Sequence, residues 1–235
     1  SGARPLRDAV LAQAARLSGP ARRLLEAVAI IPGQVDLFLL EALVAELVDQ
    51  VEECLASGML VAGPAHLAFR HELARLAIEE AIASNRRVVL HRAALAALAA
   101  PGGDALDFTR LAHHAEAAGD AEGVLGWAPR AAARAASSGA HREAAAQYAL
   151  AIRFADGLSP ERRAELLQGR ADECYMTDQF EEAIDAQQRA LACHRRLGDR
   201  RAEGDSLRSL SRLLFFVGRT RPLARSRPSG ALGCR

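Results

Sequence analysis

The sequence contains no lysine; all 30 basic residues are arginine. That absence excludes a P-loop lysine, a Schiff-base lysine and a lysine general base. Aromatic residues make up only 4% of the chain, so large rings do not fill its core. The four cysteines, Cys54, Cys174, Cys193 and Cys234, form no CxxC pair. This speaks against a cysteine zinc site and for reduced core thiols in a cytosolic protein. No run of 18 apolar residues is present, and the first residues show no signal-peptide pattern. The formal net charge is +1, so no overall field steers the chain towards nucleic acid or an acidic surface. A cytoplasmic, bacterial protein is expected, since arginine for lysine and abundant alanine are what a GC-rich genome produces.

What is abundant is alanine, the strongest helix former and the smallest useful core side chain. It recurs in a pattern. His141-Arg-Glu-Ala-Ala-Ala-Gln-Tyr-Ala-Leu-Ala-Ile152 returns as Phe180-Glu-Glu-Ala-Ile-Asp-Ala-Gln-Gln-Arg-Ala-Leu191. The offset places Glu143 on Glu182, Ala144 on Ala183 and Ala151 on Ala190. Upstream, Ala132 falls on Ala171 and Ala135 on Cys174. A fixed period with small residues at fixed places marks a helix-pair repeat. Ala132, Ala144, Ala151, Ala171, Ala183 and Ala190 are the expected packing positions, with Tyr148 as the large residue between two of them. The spacing matches the tetratricopeptide pattern, in degenerate form, because Gln187 replaces the aromatic in the second copy. A stack of such pairs offers a concave face for a peptide, a partner domain or a small effector. Arg134, Asp172, Glu173 and Gln179 are candidates for that surface, or simply a solvated charged face.

The first third reads differently. Leu6, Val10, Ala14 and Leu17 line one helix, and Leu24, Leu25, Val28 and Ala29 a second. A third helical segment is expected from Val35 to about Leu47, and a short one at 51–55 closed by Gly58. Residues 59–62 and 66–70 read as two short strands around a tight turn. Residues 72–82 return to helix, with Leu73, Leu76, Ala77 and Ala81 inward. Helices, a hairpin and another helix make a winged-helix-like arrangement. The candidate recognition helix, around Gln50 to Ser57, carries Glu52 and Glu53 where a DNA reader needs Arg, Asn or Gln. A packing module is therefore the stronger reading.

Several motifs follow one another in order: Asp8-Ala-Val-Leu, Arg16-Leu-Ser, Gly58-Met-Leu, Phe69-Arg-His-Glu-Leu-Ala-Arg75, Leu90-His-Arg92, Leu111-Ala-His-His-Ala-Glu-Ala-Ala-Gly-Asp120 and Gly139-Ala-His-Arg-Glu-Ala144. Over about residues 5 to 218 this run resembles the middle of the large ATP-binding LuxR-family transcriptional regulators, the MalT-like signal-transduction ATPases. The resemblance implies a winged-helix domain and a tetratricopeptide-like sensor between an ATPase module and a C-terminal LuxR helix-turn-helix. Neither a Walker A or B segment nor that helix-turn-helix is visible in this sequence. No cofactor is thus expected in this chain, and ATP or ADP is implied only for a parent protein. The implied partners are the upstream ATPase module and an unidentified effector or protein. DNA would be met only through the absent C-terminal domain, no membrane is expected, and self-association stays open. The resemblance also points to His71, with Arg70 and Arg75, as nucleotide-contact candidates, since related switch ATPases place a histidine there against the phosphates of ADP. The alternative is a histidine that caps or packs the next helix, with Arg70 and Arg75 pairing Glu72 and Glu79.

No catalytic residue and no metal are expected. Adjacent helical positions point about 100° apart, so His113 and His114 do not readily share one ion. Ala117 and Ala118 occupy the positions three and four residues after His114. An interhelical packing or hydrogen-bonding role is expected instead. The resulting expectation is an all-α chain. A winged-helix-like domain covers 1–100, tetratricopeptide-like repeats cover 101–218, and an irregular tail with Pro228 covers 219–235. The boundary is set at Pro101-Gly-Gly. The chain has no initiator methionine and begins in a helical pattern, as a segment of a longer regulator would. A free-standing tetratricopeptide-type protein-interaction adaptor is the alternative.

Overall fold

In the computed structural model, the described residues are 3–100 and 107–220. The expected boundary at Pro101 and the tail beyond Thr220 lie outside them. Among the described residues the fold is all-α apart from one small sheet. No helix among them is long and apolar enough to cross a membrane. The chain divides into two compact units, Ser1–Trp127 and Ala128–Arg235.

The first unit opens with α1 (Ala3–Ala14) and α2 (Gly19–Ala29). Ser18 caps α2: its Oγ accepts from the Ala21 amide, and Pro20 occupies the first turn, where no amide is needed. Next come β1 (Gln34–Asp36), α3 (Leu37–Val44), a 3₁₀ turn (Ala45–Gln50) and α4 (Val51–Ala56). The expected helix from Val35 to Leu47 is thus split. Val35 is fully buried in strand pairing opposite Leu67, and helical geometry begins only after Asp36. α4 ends at Gly58, whose φ of +75° is accessible to glycine without a Cβ penalty.

β2 (Leu60–Ala62) and β3 (His66–Phe69) form the expected hairpin, closed by a 2.8 Å bond from the Gly63 amide to the His66 carbonyl. β1 lies antiparallel on the other side of β3, so the strand order is β1-β3-β2. α5 (Glu72–Ala81), α6 (Ser84–Ala99) and α7 (Phe108–Ala117) follow, and α8 (Ala121–Ser137) begins in this unit. The core gathers Leu24, Leu25, Ile30, Ile31, Val35, Leu39, Leu40, Cys54 and Leu60. Four inward assignments are corrected. Leu6 is exposed, and on α5 the buried positions are Ala74, Arg75, Ala77 and Ile78, while Leu73, Leu76 and Ala81 face outward. The face is rotated because the Arg75 guanidinium is anchored beneath the helix.

In the second unit, α9 (His141–Arg153), α10 (Pro160–Met176), α11 (Phe180–Leu197) and α12 (Arg200–Thr220) each pack on their neighbours in sequence. The 39-residue offset reappears in the backbone. The Ala140 amide bonds the Ala135 carbonyl at 2.9 Å, and the Gln179 amide bonds the Cys174 carbonyl at 2.9 Å. Gly139 and Asp178 take left-handed φ values of +77° and +60° in the equivalent turns. This is the glycine-type helix stop, with an aspartate in the second copy. Pro129 lies inside α8 without ending it.

Candidate functional site

Three places in the fold bear on function: the start of α5, the repeat surface, and a histidine cluster between α6 and α7.

At the start of α5, His71 is the N-cap residue, but its side chain makes no capping bond. It is exposed, as is Arg70, whose Nε donates to the Gly58 carbonyl at 2.9 Å. Arg75 is different. It is buried, and all three guanidinium nitrogens are engaged. Nε donates to Glu72 Oε1 at 2.8 Å. Nη1 donates to the Ala29 carbonyl at 2.6 Å and to Glu79 Oε2 at 2.7 Å. Nη2 stands 2.7 Å from Glu72 Oε1. Arg75 is therefore removed from the nucleotide-contact set, because its fork already binds three internal acceptors. His71 and Arg70 remain as outward donors. They form no phosphate cradle by themselves and fit a nucleotide only as contacts from outside its own site.

The acidic residue expected to repel DNA has an internal task. Glu53 accepts from the amide and the hydroxyl of Ser18, both at 2.7 Å. These bonds lower its carboxyl pKa, the backbone bond most. They tie α4 to the start of α2.

On the repeats, Ala132, Ala144, Ala151, Ala171, Ala183 and Ala190 are all buried, in agreement with their spacing. Tyr148 is half-buried, and its ring lies over Gly169: a Cβ built there would stand 2.6 Å from Tyr148 Cζ. Of the surface candidates, Arg134 and Asp172 are exposed. Glu173 is half-buried and stands 2.7 Å from His141 Nδ1. Gln179 sits before α11, and its Oε1 is 3.7 Å from Cys174 Sγ. Glu173 and Gln179 thus serve joints within the array. The cysteines Cys54, Cys174 and Cys193 are free and buried. Burial pushes the Cys54 thiol up to about 12, with Glu53 adding to the effect, so it is unreactive.

Sequence reasoning missed His91. It lies on α6, 1% exposed, between buried Leu90 and Ala94. Its Nδ1 is 2.9 Å from Nδ1 of His114, which is fully buried on α7. The expected interhelical hydrogen bond is therefore present, with one ring donating and the other accepting. His113 closes a triangle: ring centroids are 5.1 Å apart for His91–His114, 5.1 Å for His113–His114 and 5.7 Å for His91–His113. One ligand nitrogen from each ring lies within 4.8 Å of the others. The Nε2 atoms of all three are buried and without a hydrogen-bond partner among the described residues. Burial pushes His91 down to about 4 and His114 to about 3, and neighbouring positive imidazoles and Arg87 or Arg110 add to this. His113 is lowered as well, mainly by burial. The rings are therefore neutral near pH 7. The sequence signals for His91 were its place in the Leu90-His-Arg92 motif and its position as a polar residue beside buried Leu90 and Ala94 on α6.

No family model matches this sequence, and no curated protein matches it either.

Proposed function

We propose that this chain is the regulatory and sensor segment of a LuxR-type ATP-dependent transcriptional regulator, relaying effector or partner binding on its helical repeats to a nucleotide-binding module. The observation that carries most weight is the order of elements in the first unit. A helix, strand β1, two helices and the β2–β3 hairpin, with β1 returned beside β3, fit the order that a winged helix requires. It supports the domain that the ordered sequence motifs suggested. Glu53 supports a packing rather than a DNA-reading role, because its carboxylate holds Ser18 on α4, the helix that would enter a groove.

The second unit supports the sensor half. Small residues recur at the helix contacts with a fixed offset, and the intervening turns repeat with them. That is the construction of a stacked helix-pair surface. Next to exposed His71, α5 leaves Leu73 and Leu76 outward, an apolar edge beside two polar donors. An upstream module would find both kinds of contact there. Catalysis forms no part of the reading.

The test is ADP affinity of the protein extended upstream to include the nucleotide-binding module, with and without His71→Ala. A loss of about tenfold, near 1.4 kcal/mol, is expected for one charge-assisted contact. Unchanged affinity removes His71 from the nucleotide site. If no GxxxxGK[ST] strand-turn-helix precedes this segment in its reading frame, the adaptor reading replaces the regulator reading.

A further inference from the structure

We propose that His91, His113 and His114 form a binding site for one divalent transition-metal ion of the Zn²⁺ class, held between α6 and α7 in the first unit. The geometry of the rings points to it. In a tetrahedral site with Zn–N bonds of about 2.05 Å, ligand nitrogens stand about 3.3 Å apart and imidazole centroids about 5.2 Å apart. The three centroid separations here are 5.1, 5.1 and 5.7 Å. The rings already form the near-equilateral triangle that a three-histidine site requires. The His91–His114 Nδ1 pair, at 2.9 Å, must open slightly, and one ligand nitrogen from each ring already lies within 4.8 Å of the others.

Chemistry agrees with geometry. Neutral imidazole suits Zn²⁺ and the later first-row divalent ions better than Mg²⁺ or Ca²⁺. Among the described residues each ring has a buried Nε2 without a hydrogen-bond partner, so no protein group at Nε2 fixes the tautomer against ligation through the other nitrogen. Ion entry replaces the single Nδ1 proton shared by His91 and His114. That proton moves to Nε2 of the same ring, so the ligands stay neutral and no net proton is released. His113 is only half-buried, which gives the ion an approach from its side. His113 and His114 are adjacent on α7, yet their ring centroids stand 5.1 Å apart, and a ligand nitrogen of each lies within 4.8 Å of one on His91, which comes from α6.

The neighbouring charges set the character of the site. Arg75 and Glu79 face His113 together with Glu116, Arg110 faces His114, and Arg87 faces His91. Arg75 is paired with Glu72 and Glu79, and Arg110 with Asp36 at 3.1 Å, so two of the three cations are offset. No carboxylate joins the ligand set. The fourth position therefore falls to water or a small anion, as in sites with three protein ligands.

The test uses the whole chain, stripped with EDTA and titrated with Zn²⁺ by calorimetry and with Co²⁺ by visible absorption. One equivalent of Zn²⁺ is expected to bind, and Co²⁺ is expected to show the intense visible bands of a four-coordinate ion. His113→Ala, at the half-buried position, should weaken binding about tenfold or more while the far-ultraviolet circular dichroism stays native. His91→Gln and His114→Gln should abolish it wherever they fold. His66→Ala should change nothing. Binding that is absent, exceeds one equivalent without saturating, or survives His113→Ala unchanged overturns the proposal. Those results leave a dry hydrogen-bonded histidine stack or adventitious surface binding. Neither outcome touches the regulator reading, which rests on His71 and the repeats.

Discussion

Two buried polar groups separate structural from functional chemistry at the residue scale. Arg75 resembles a phosphate ligand in sequence, yet it holds Glu72, Glu79 and the Ala29 carbonyl in place. Arg75→Met should cost about 2–3 kcal/mol, because it strands a buried carbonyl and a half-buried carboxylate. Urea melts measure this, and a loss below about 0.5 kcal/mol would show that the network carries no stability. The histidine cluster makes a pH prediction for the EDTA-treated protein. His91 and His114 titrate lower when folded than the usual value of about 6.5. The unfolded chain then binds protons first as pH falls. Their contribution is complete above about pH 6.5 and is lost as pH drops towards 4. The slope approaches about 1.4 kcal/mol per pH unit for each ring. Melts between pH 7 and 4.5 should show it, and a flat profile above pH 5 would contradict neutral burial. Saturating Zn²⁺ should steepen the loss, since protonated imidazole cannot ligate.

At the scale of elements, the repeat is legible down to its turns. Asp178 stands in the left-handed conformation that Gly139 takes in the preceding copy. Asp178→Gly should therefore stabilise the second unit by about 0.5–1 kcal/mol, read as a higher urea midpoint at constant slope. Gly169 behaves in the opposite way. Alanine normally strengthens a helix, but here its Cβ would meet the Tyr148 ring at 2.6 Å. Gly169→Ala should destabilise by about 1–2 kcal/mol despite the propensity gain, and adding Tyr148→Leu should restore most of the loss. A stabilised single variant would mean that the ring moves aside at no cost. The same helix scale explains what the periodicity misjudged. Leu73 and Leu76 have helical spacing, but Arg75 anchors the adjacent face, so α5 buries Ala74, Ala77 and Ile78 instead.

At the scale of the whole chain, each unit has its own core. One gathers around Leu24, Ile31 and Leu40, and the other includes Cys174, Ala183 and Leu213. Heat unfolding should then depart from a single two-state transition, with a calorimetric enthalpy larger than the van't Hoff value. Acidification should shift the transition of the first unit, where His91 and His114 reside. Coincident melting by every probe with equal enthalpies would contradict independent cores.

Composition and spacing alone determined the all-α class, the hairpin, the helix stops and the buried alanines. These are local properties: propensity, periodicity and turn chemistry act over a few residues. The tertiary structure decided what depends on chain return. It set β1 against β3 across some thirty residues. It turned Arg75 inward to Ala29, a partner from another helix. It brought His91 to His113 and His114, which the sequence separates by a Pro-Gly run and a helix boundary. Two adjacent histidines on one helix diverge. Only a third, carried in by the packing of α6 against α7, gives them a common centre.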